Sequence, residues 1–219
     1  MRLEVFDGAA EAAARGAGLI AEAARAAVAE RGAFVLAISG GGTPLPMFEH
    51  LGEEEVPWLE TRILQVDERV APDGDDDRNL THIEQTLPAA ALERLHPMPV
   101  TDEDLEEAAA RYEEALPGEI DLVHLGIGPD GHTASLVPGD PVLEVTDRRV
   151  ALTGGEYQGR RRMTLTYPAL AAARRVFWLV AGETTRDALS RLLEGDTSIP
   201  AGRVRARDPL VIADRAAAG

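Results

Sequence analysis

The chain reads as an α/β protein, a doubly wound and mostly parallel sheet with helices on both faces. Three observations predict this. Short apolar runs alternate with helical patterns along most of the 219 residues, the order expected of repeated βαβ units. Two of those runs, 33–38 and 120–125, pass into glycine-rich turns, Ser39-Gly40-Gly41-Gly42-Thr43-Pro44 and Gly126-Ile127-Gly128-Pro129-Asp130-Gly131. No repeat, linker or long charge block divides the sequence, so residues 1–219 are expected to form one domain.

In chain order, Asp7 reads as the N-cap of an alanine-rich helix running to about Arg31, with Gly32 as its stop. Ala33 to Ile38 is a buried strand. Pro44 suits the first turn of a short helix ending near Leu51. Arg62 to Val66 is the next strand and leads into Asp67-Glu68-Arg69. An acidic stretch, Asp73 to Asp77, precedes a helix from about Asn79 to Leu87. Within Asp102 to Leu116, the apolar Leu105, Ala108, Ala109, Tyr112 and Leu116 fall at helical spacing. Ile120 to Leu125 is a strand, and Val150 to Thr153 has weaker strand character. Arg162 to Thr166 alternates like a half-exposed strand, and Pro168 to Ala173 forms a short helix. Val176 to Ala181 is a buried strand, Thr184 caps a helix to Leu193, and Leu210 to Ile212 is the last strand.

Composition excludes several functions. Hydrophobic residues make up 45% and charged residues 27%, ordinary values for a globular protein. No apolar stretch has the length of a membrane span, and Met1 to Asp7 lacks the apolar block of a signal peptide, so a cytoplasmic location is expected. There is no cysteine, hence no disulfide, thiolate nucleophile or thiolate metal site. All 22 basic residues are arginine, which removes Schiff-base chemistry and the lysine of a nucleotide-binding P-loop. A formal charge of −16 argues against nucleic acid or an anionic membrane as partner. An anionic small substrate would need a local cluster of arginine and backbone amides.

Two strand-end turns supply candidates for such a cluster, because open α/β sheets bind ligands beyond the carboxyl ends of their strands. Successive glycines at 40–42 leave amides free for phosphate oxygens, and the hydroxyls of Ser39 and Thr43 can add donors. His132 follows the second turn, where a neutral imidazole can take a proton from water near neutral pH. Gly126 to Gly131 formally matches the dinucleotide fingerprint, but it does not fall at the first βα turn and Pro129 removes an amide, so nucleotide binding is not favoured. Of the other histidines, His124 lies within a strand and reads as core; His50 and His96 lie near element ends, and His82 in a surface helix. Arg69 fits either a bidentate phosphate contact or a surface ion pair. Arg160-Arg161-Arg162 reads as a solvated run, except that Arg162 begins a strand. Asp73, Asp75, Asp77, Asn79, Thr81 and Glu84 follow calcium-loop spacing, but Arg78 stands where that loop needs glycine, so the segment reads as a solvated acidic loop.

Together, Ser-Gly-Gly-Gly-Thr-Pro at 39–44, Asp-Glu-Arg at 67–69, Gly-Ile-Gly-Pro-Asp-Gly-His-Thr-Ala-Ser-Leu at 126–136 and Arg-Met-Thr-Leu-Thr at 162–166 resemble the 6-phosphogluconolactonase family. The resemblance implies a three-layer α/β/α sandwich with a mostly parallel, Rossmann-like sheet, shared with ribose-phosphate isomerases and glucosamine-6-phosphate deaminases. It implies a metal-independent hydrolase of the oxidative pentose phosphate pathway, without cofactor, acting on a sugar-phosphate lactone as a monomer or small homo-oligomer. His132 would be the catalytic base, and Asp130 would orient it or the attacking water. Ser39, Gly40, Gly41, Gly42, Thr43 and Arg69 would hold the phosphate, with Asp67, Gly128, Gly131 and Arg162 completing the substrate site. The family usually carries serine where this chain has Arg78, phenylalanine where it has Val137, and lysine near Arg186. The deaminases resembled less closely have tyrosine in place of Arg69 and a glutamate near Val137. A non-catalytic sugar-phosphate sensor is a third reading, but the chain has no basic recognition helix.

Overall fold

The computed structural model describes residues 1–219. The strand–helix alternation unfolds as β1 (Arg2–Phe6), α1 (Ala9–Arg31), β2 (Phe34–Ile38), α2 (Leu45–His50), β3 (Thr61–Gln65), β4 (Asp67–Arg69), α3 (Asn79–Thr86), α4 (Ala89–Leu92), β5 (Leu95–His96), α5 (Leu105–Ala115) and β6 (Leu122–Leu125). It continues as β7 (Val150–Leu152), β8 (Arg162–Leu165), α6 (Tyr167–Ala172), β9 (Arg175–Val180), α7 (Arg186–Glu194), β10 (Pro209–Asp214) and α8 (Arg215–Ala218). Seven strands form the central sheet in the order β1-β10-β9-β6-β2-β3-β5, every pairing parallel. The other three form a small antiparallel sheet, β4-β8-β7.

Alternate residues of the central strands face two separate cores. Leu36, Ile38, Phe177, Leu179, Leu210 and Ile212 pack with α1, α2 and α3 on one face. Ala37, Val123, Leu125, Trp178, Val180, Val211 and Ala213 pack with α5 to α8 and the small sheet on the other. These two cores make the three layers predicted for the fold. Small residues let α1 lie close to α2: a Cβ built at Gly16 would sit 2.7 Å from the Met47 sulfur. Gly32 ends α1 in the left-handed conformation, φ 76°, with its amide on Val28 O.

Several local expectations need correction. Gly8, not Asp7, occupies the N-cap of α1, and the Asp7 carboxylate instead meets Arg215. Thr184 lies in a 3₁₀ turn, and Thr185, which precedes α7, turns its hydroxyl back to Gly182 O rather than capping the helix. Arg162 to Leu165 are all buried, because the small sheet closes over them and Thr164 is bonded inside it. β1 and β5 were not anticipated. β1 is a partly exposed edge strand, and β5 has only two residues. The acidic loop is not simply solvated: Asp73 pairs with Arg78, and Asp75 and Asp77 both pair with Arg160, which draws Arg160 out of its solvated run as well.

The site lies where the topology reverses. From β2 the chain builds outward through β3 to β5, then returns to place β6 on the opposite side of β2. The connections leaving β2 and β6 therefore diverge and open a crevice at their carboxyl ends. Val66 forms the hinge to the small sheet that walls this crevice. Its amide bonds Ile38 O of the main sheet, while its carbonyl accepts Leu165 N of the small one.

Candidate active site

Two glycine turns and one arginine pair line the crevice. It has an inner part of about 150 Å³ reaching His132 and an outer part of about 340 Å³ reaching His82, and Gly41, Gly42, Arg69 and Arg162 border both.

The β2 turn presents donors. None of the amides of Gly40, Gly41, Gly42 and Thr43 bonds to a protein acceptor. Gly41 has φ 92°, open to glycine and strained for other residues. Ser39 differs from its expected role: its amide points to His124 Nδ1 at 3.4 Å and its hydroxyl donates to His124 O at 3.2 Å. It anchors the turn from below rather than facing a ligand with its hydroxyl. His124 is indeed core, between the rings of Phe48 and Phe177, and burial pushes its pKa down to about 3.

The cations come from the small sheet. Arg69 of β4 and Arg162 of β8 are direct cross-strand partners. Like charges placed opposite each other destabilise a sheet. Neither arginine forms a salt bridge, and the nearby Asp67 and Glu68 charges offset the repulsion at Arg162 only in part. Arg69 donates to Asp77 O and Asn79 Oδ1, at 2.9 and 2.7 Å. Arg162 donates to Tyr157 O and Gln158 Oε1, at 3.2 and 3.1 Å. All four acceptors are neutral. Burial, then the Arg69 charge, lower the Arg162 pKa from its ordinary value. In a chain of net charge −16, two adjacent unpaired guanidiniums beside free amides form a site for a multiply charged anion.

A buried carboxylate fixes this wall. Glu68, fully buried, accepts the amides of Arg69 and Asn79 on Oε1. Its Oε2 accepts from Gln65 Nε2 and Leu80 N, with Arg78 Nε at 3.4 Å. It thus caps α3 from a distance and neutralises Arg78, which explains how arginine is accommodated there. Asn79, held by this cap, bonds Asp67 O and packs on Gly40, where a Cβ would lie 2.4 Å from the amide. Asp67 lines the crevice floor and accepts the Ser135 hydroxyl at 2.6 Å.

The titratable group comes from the β6 turn. His132 Nδ1 lies 2.6 Å from Asp130 Oδ1, and the His132 amide donates to the same oxygen at 3.2 Å. An ionised carboxylate only accepts, so Nδ1 carries a proton, and in the neutral form of the ring the lone pair is on Nε2. Burial raises the Asp130 pKa, but the bonds and charge of His132 and the Tyr157 hydroxyl outweigh it and hold that carboxyl below its ordinary value. Gly128 lies under the ring; a Cβ there would sit 2.1 Å from the imidazole. The amides of Gly128 and Gly131 are engaged inside the turn, on His132 O and Gly128 O, and are not donors for an oxyanion. Gly131 faces away from the crevice, toward Ile199 and Ala201.

The crevice therefore gathers Gly40 to Thr43, Asp67, Arg69, Gly128, His132 and Arg162, with Ser39 beneath them, Asp130 behind the histidine and Gly131 outside. Sequence reasoning missed Tyr157, Gln158 and the role of Asn79. The Gln158-Gly159 pair was the available signal, since it fits a two-residue hairpin turn that aims its flanking residues.

Residues 7–212 match the family of glucosamine-6-phosphate isomerases/6-phosphogluconolactonase. A 6-phosphogluconolactonase of Nostoc sp. is 35% identical over 222 residues, covering 94% of this chain and 92% of the relative. A crystal structure of a 6-phosphogluconolactonase from Shewanella baltica superposes with a TM-score of 0.89 at 26% identity, over 98% of this chain and 97% of that one. The Thermotoga maritima 6-phosphogluconolactonase structure gives 0.87 at 27% identity, over 97% and 98%. With this match along nearly its full length, the chain belongs to the glucosamine-6-phosphate isomerase/6-phosphogluconolactonase family.

Proposed function

We propose that the protein is a 6-phosphogluconolactonase, hydrolysing 6-phospho-D-glucono-1,5-lactone to 6-phosphogluconate in the oxidative pentose phosphate pathway. The observation that carries this is the pairing of one oriented imidazole with an anion site. His132, its Nδ1 proton held by Asp130, shares a crevice with Arg69, Arg162 and the free amides of residues 40–43. The phosphate is held by the two guanidiniums and the Gly41 and Gly42 amides. This grip fixes the lactone carbonyl at Nε2. Nε2 takes a proton from water as the water oxygen bonds to C1. The imidazolium, stabilised by Asp130, returns the proton to the ring oxygen as the C1–O bond breaks. The departures from the deaminase pattern support hydrolysis over ring opening. Val137 is a buried aliphatic side chain unable to move a proton, and Arg69 stands in place of tyrosine. The enzyme works in the cytoplasm on a diffusible substrate, as a monomer or small homo-oligomer.

The test is a coupled assay of 6-phosphogluconate release, corrected for spontaneous hydrolysis. The parent accelerates release, and His132→Ala lowers kcat by about 10²- to 10⁴-fold, the usual contribution of a general base, while phosphate binding persists. Undiminished turnover in the variant would refute the base assignment. Ammonia release from glucosamine 6-phosphate would identify a deaminase instead.

A further inference from the structure

Tyr157 touches both halves of the site, the proton-transfer pair and the anion grip. It flanks a two-residue turn between β7 and β8. Gln158 and Gly159 have φ of 54° and 78°, and Tyr157 and Arg160 pair across them. Positive φ at both central residues is the geometry of the tight hairpin turn whose twist matches its strands. The turn is held from both ends. Arg160 is clamped by Asp75 and Asp77, and Arg162 donates to Tyr157 O and Gln158 Oε1.

The side chain so placed makes three contacts. Its hydroxyl donates to Asp130 Oδ2 at 2.9 Å and lies 3.3 Å from His132 Nδ1. Its ring stands edge-on to the imidazole, centroids 5.3 Å apart. The Arg162 guanidinium carbon sits 5.0 Å from the centroid of the same ring. Each oxygen of Asp130 therefore has its own donor, Oδ1 from His132 and Oδ2 from Tyr157, and rotation of the carboxylate would break one bond or the other.

We propose that Tyr157 is a positioning residue of the lactonase, its hydroxyl locking Asp130 against His132 and its ring supporting Arg162 in the phosphate grip. This rests on the function proposed above. Burial and the adjacent Asp130 charge push the phenol pKa up to about 12, so it remains a proton donor throughout the neutral range. Tyr157 itself touches no reacting atom. Its hydroxyl acts on kcat through Asp130, and its ring acts on phosphate affinity through Arg162.

Two variants separate the roles. Tyr157→Phe keeps the ring and loses the hydroxyl. It should lower kcat about three- to tenfold, the worth of one hydrogen bond, with KM for the lactone and Kd for inorganic phosphate unchanged. Tyr157→Ala should show the same loss in kcat and, in addition, a rise of about three- to tenfold in both KM and phosphate Kd, the worth of a cation–π contact. Two further readouts need no turnover: calorimetric phosphate titration, and ¹⁵N NMR of the His132 ring, where Tyr157→Phe should raise the share of the Nε2-protonated tautomer. They test Tyr157 even if the lactonase assay fails. Unchanged kcat and ring spectrum in Tyr157→Phe would overturn the hydroxyl role. Unchanged phosphate affinity in a folded Tyr157→Ala would overturn the ring role. If Tyr157→Ala does not fold, equal phosphate affinity in Tyr157→Leu and the parent would overturn it instead.

Discussion

His124 and His132 differ in one respect that decides their chemistry, namely what surrounds the ring. His132 is part-exposed and bonded to a carboxylate, whereas His124 is buried between two phenylalanines with no partner on Nε2. The His124 pKa, lowered to about 3 by burial, makes a statement about stability. The unfolded chain binds a proton at this histidine near its ordinary value of 6.5, while the folded chain does not until about pH 3. Stability from the neutral buried ring is thus full above about pH 6.5 and is lost as pH falls toward 3. His124→Asn keeps an acceptor for Ser39 N and removes the titration. It should destabilise the protein at pH 7, with a deficit that shrinks on acidification by up to about 1.4 kcal/mol per pH unit. Urea unfolding of both proteins at pH 7 and pH 5 measures this, and a deficit independent of pH would contradict it. The placement of these two histidines, one in the core and one at the crevice, was legible in the sequence because strand composition and a glycine turn distinguish them. The engagement of Ser39 was not, since nothing in Ser-Gly-Gly-Gly tells which way a hydroxyl turns.

At the level of elements, the sequence identified the strands that are long and apolar and the helices with a clear period. It missed β1, β5 and the small sheet as a unit. β5 is too short to leave a pattern, and β4 is the polar Asp67-Glu68-Arg69, whose strand pairing depends on partners that arrive about a hundred residues later. Its centre, Glu68, is the keystone of the wall. A carboxylate accepting four hydrogen bonds and facing a buried guanidinium cannot be replaced by an amide without setting donor against donor and stranding the Arg78 charge. Glu68→Gln should cost about 3–5 kcal/mol of unfolding free energy, the usual effect of breaking a buried pair. It should also raise KM, because Asn79 and Arg69 lose their support. Chemical denaturation and steady-state kinetics check both parts, and a loss below about 1 kcal/mol would contradict the role assigned here.

For the whole molecule, the puzzle in the sequence was how a chain of net charge −16 holds an anion. The fold resolves it locally. Acidic groups at the crevice are engaged with other partners, Asp77 with Arg160 and Asp67 with the Ser135 hydroxyl, while antiparallel pairing sets Arg69 and Arg162 opposite each other with neither in a salt bridge. The switch in strand order then brings this pair, the β2 amides and the β6 histidine to one crevice. That the two glycine turns border one pocket was legible from their places at strand ends. The cross-strand arginine pair was not, because register is a property of the folded sheet. In the proposed complex the crevice grips the phosphate at one end and presents the lactone carbon to His132 at the other. A crystal structure with bound 6-phosphogluconate decides whether it does. The phosphate should lie within hydrogen-bond distance of both Arg69 and Arg162 and of the Gly41 and Gly42 amides, with the C1 carboxylate against His132 Nε2. A carboxylate bound between the arginines, with C1 remote from His132, would contradict it.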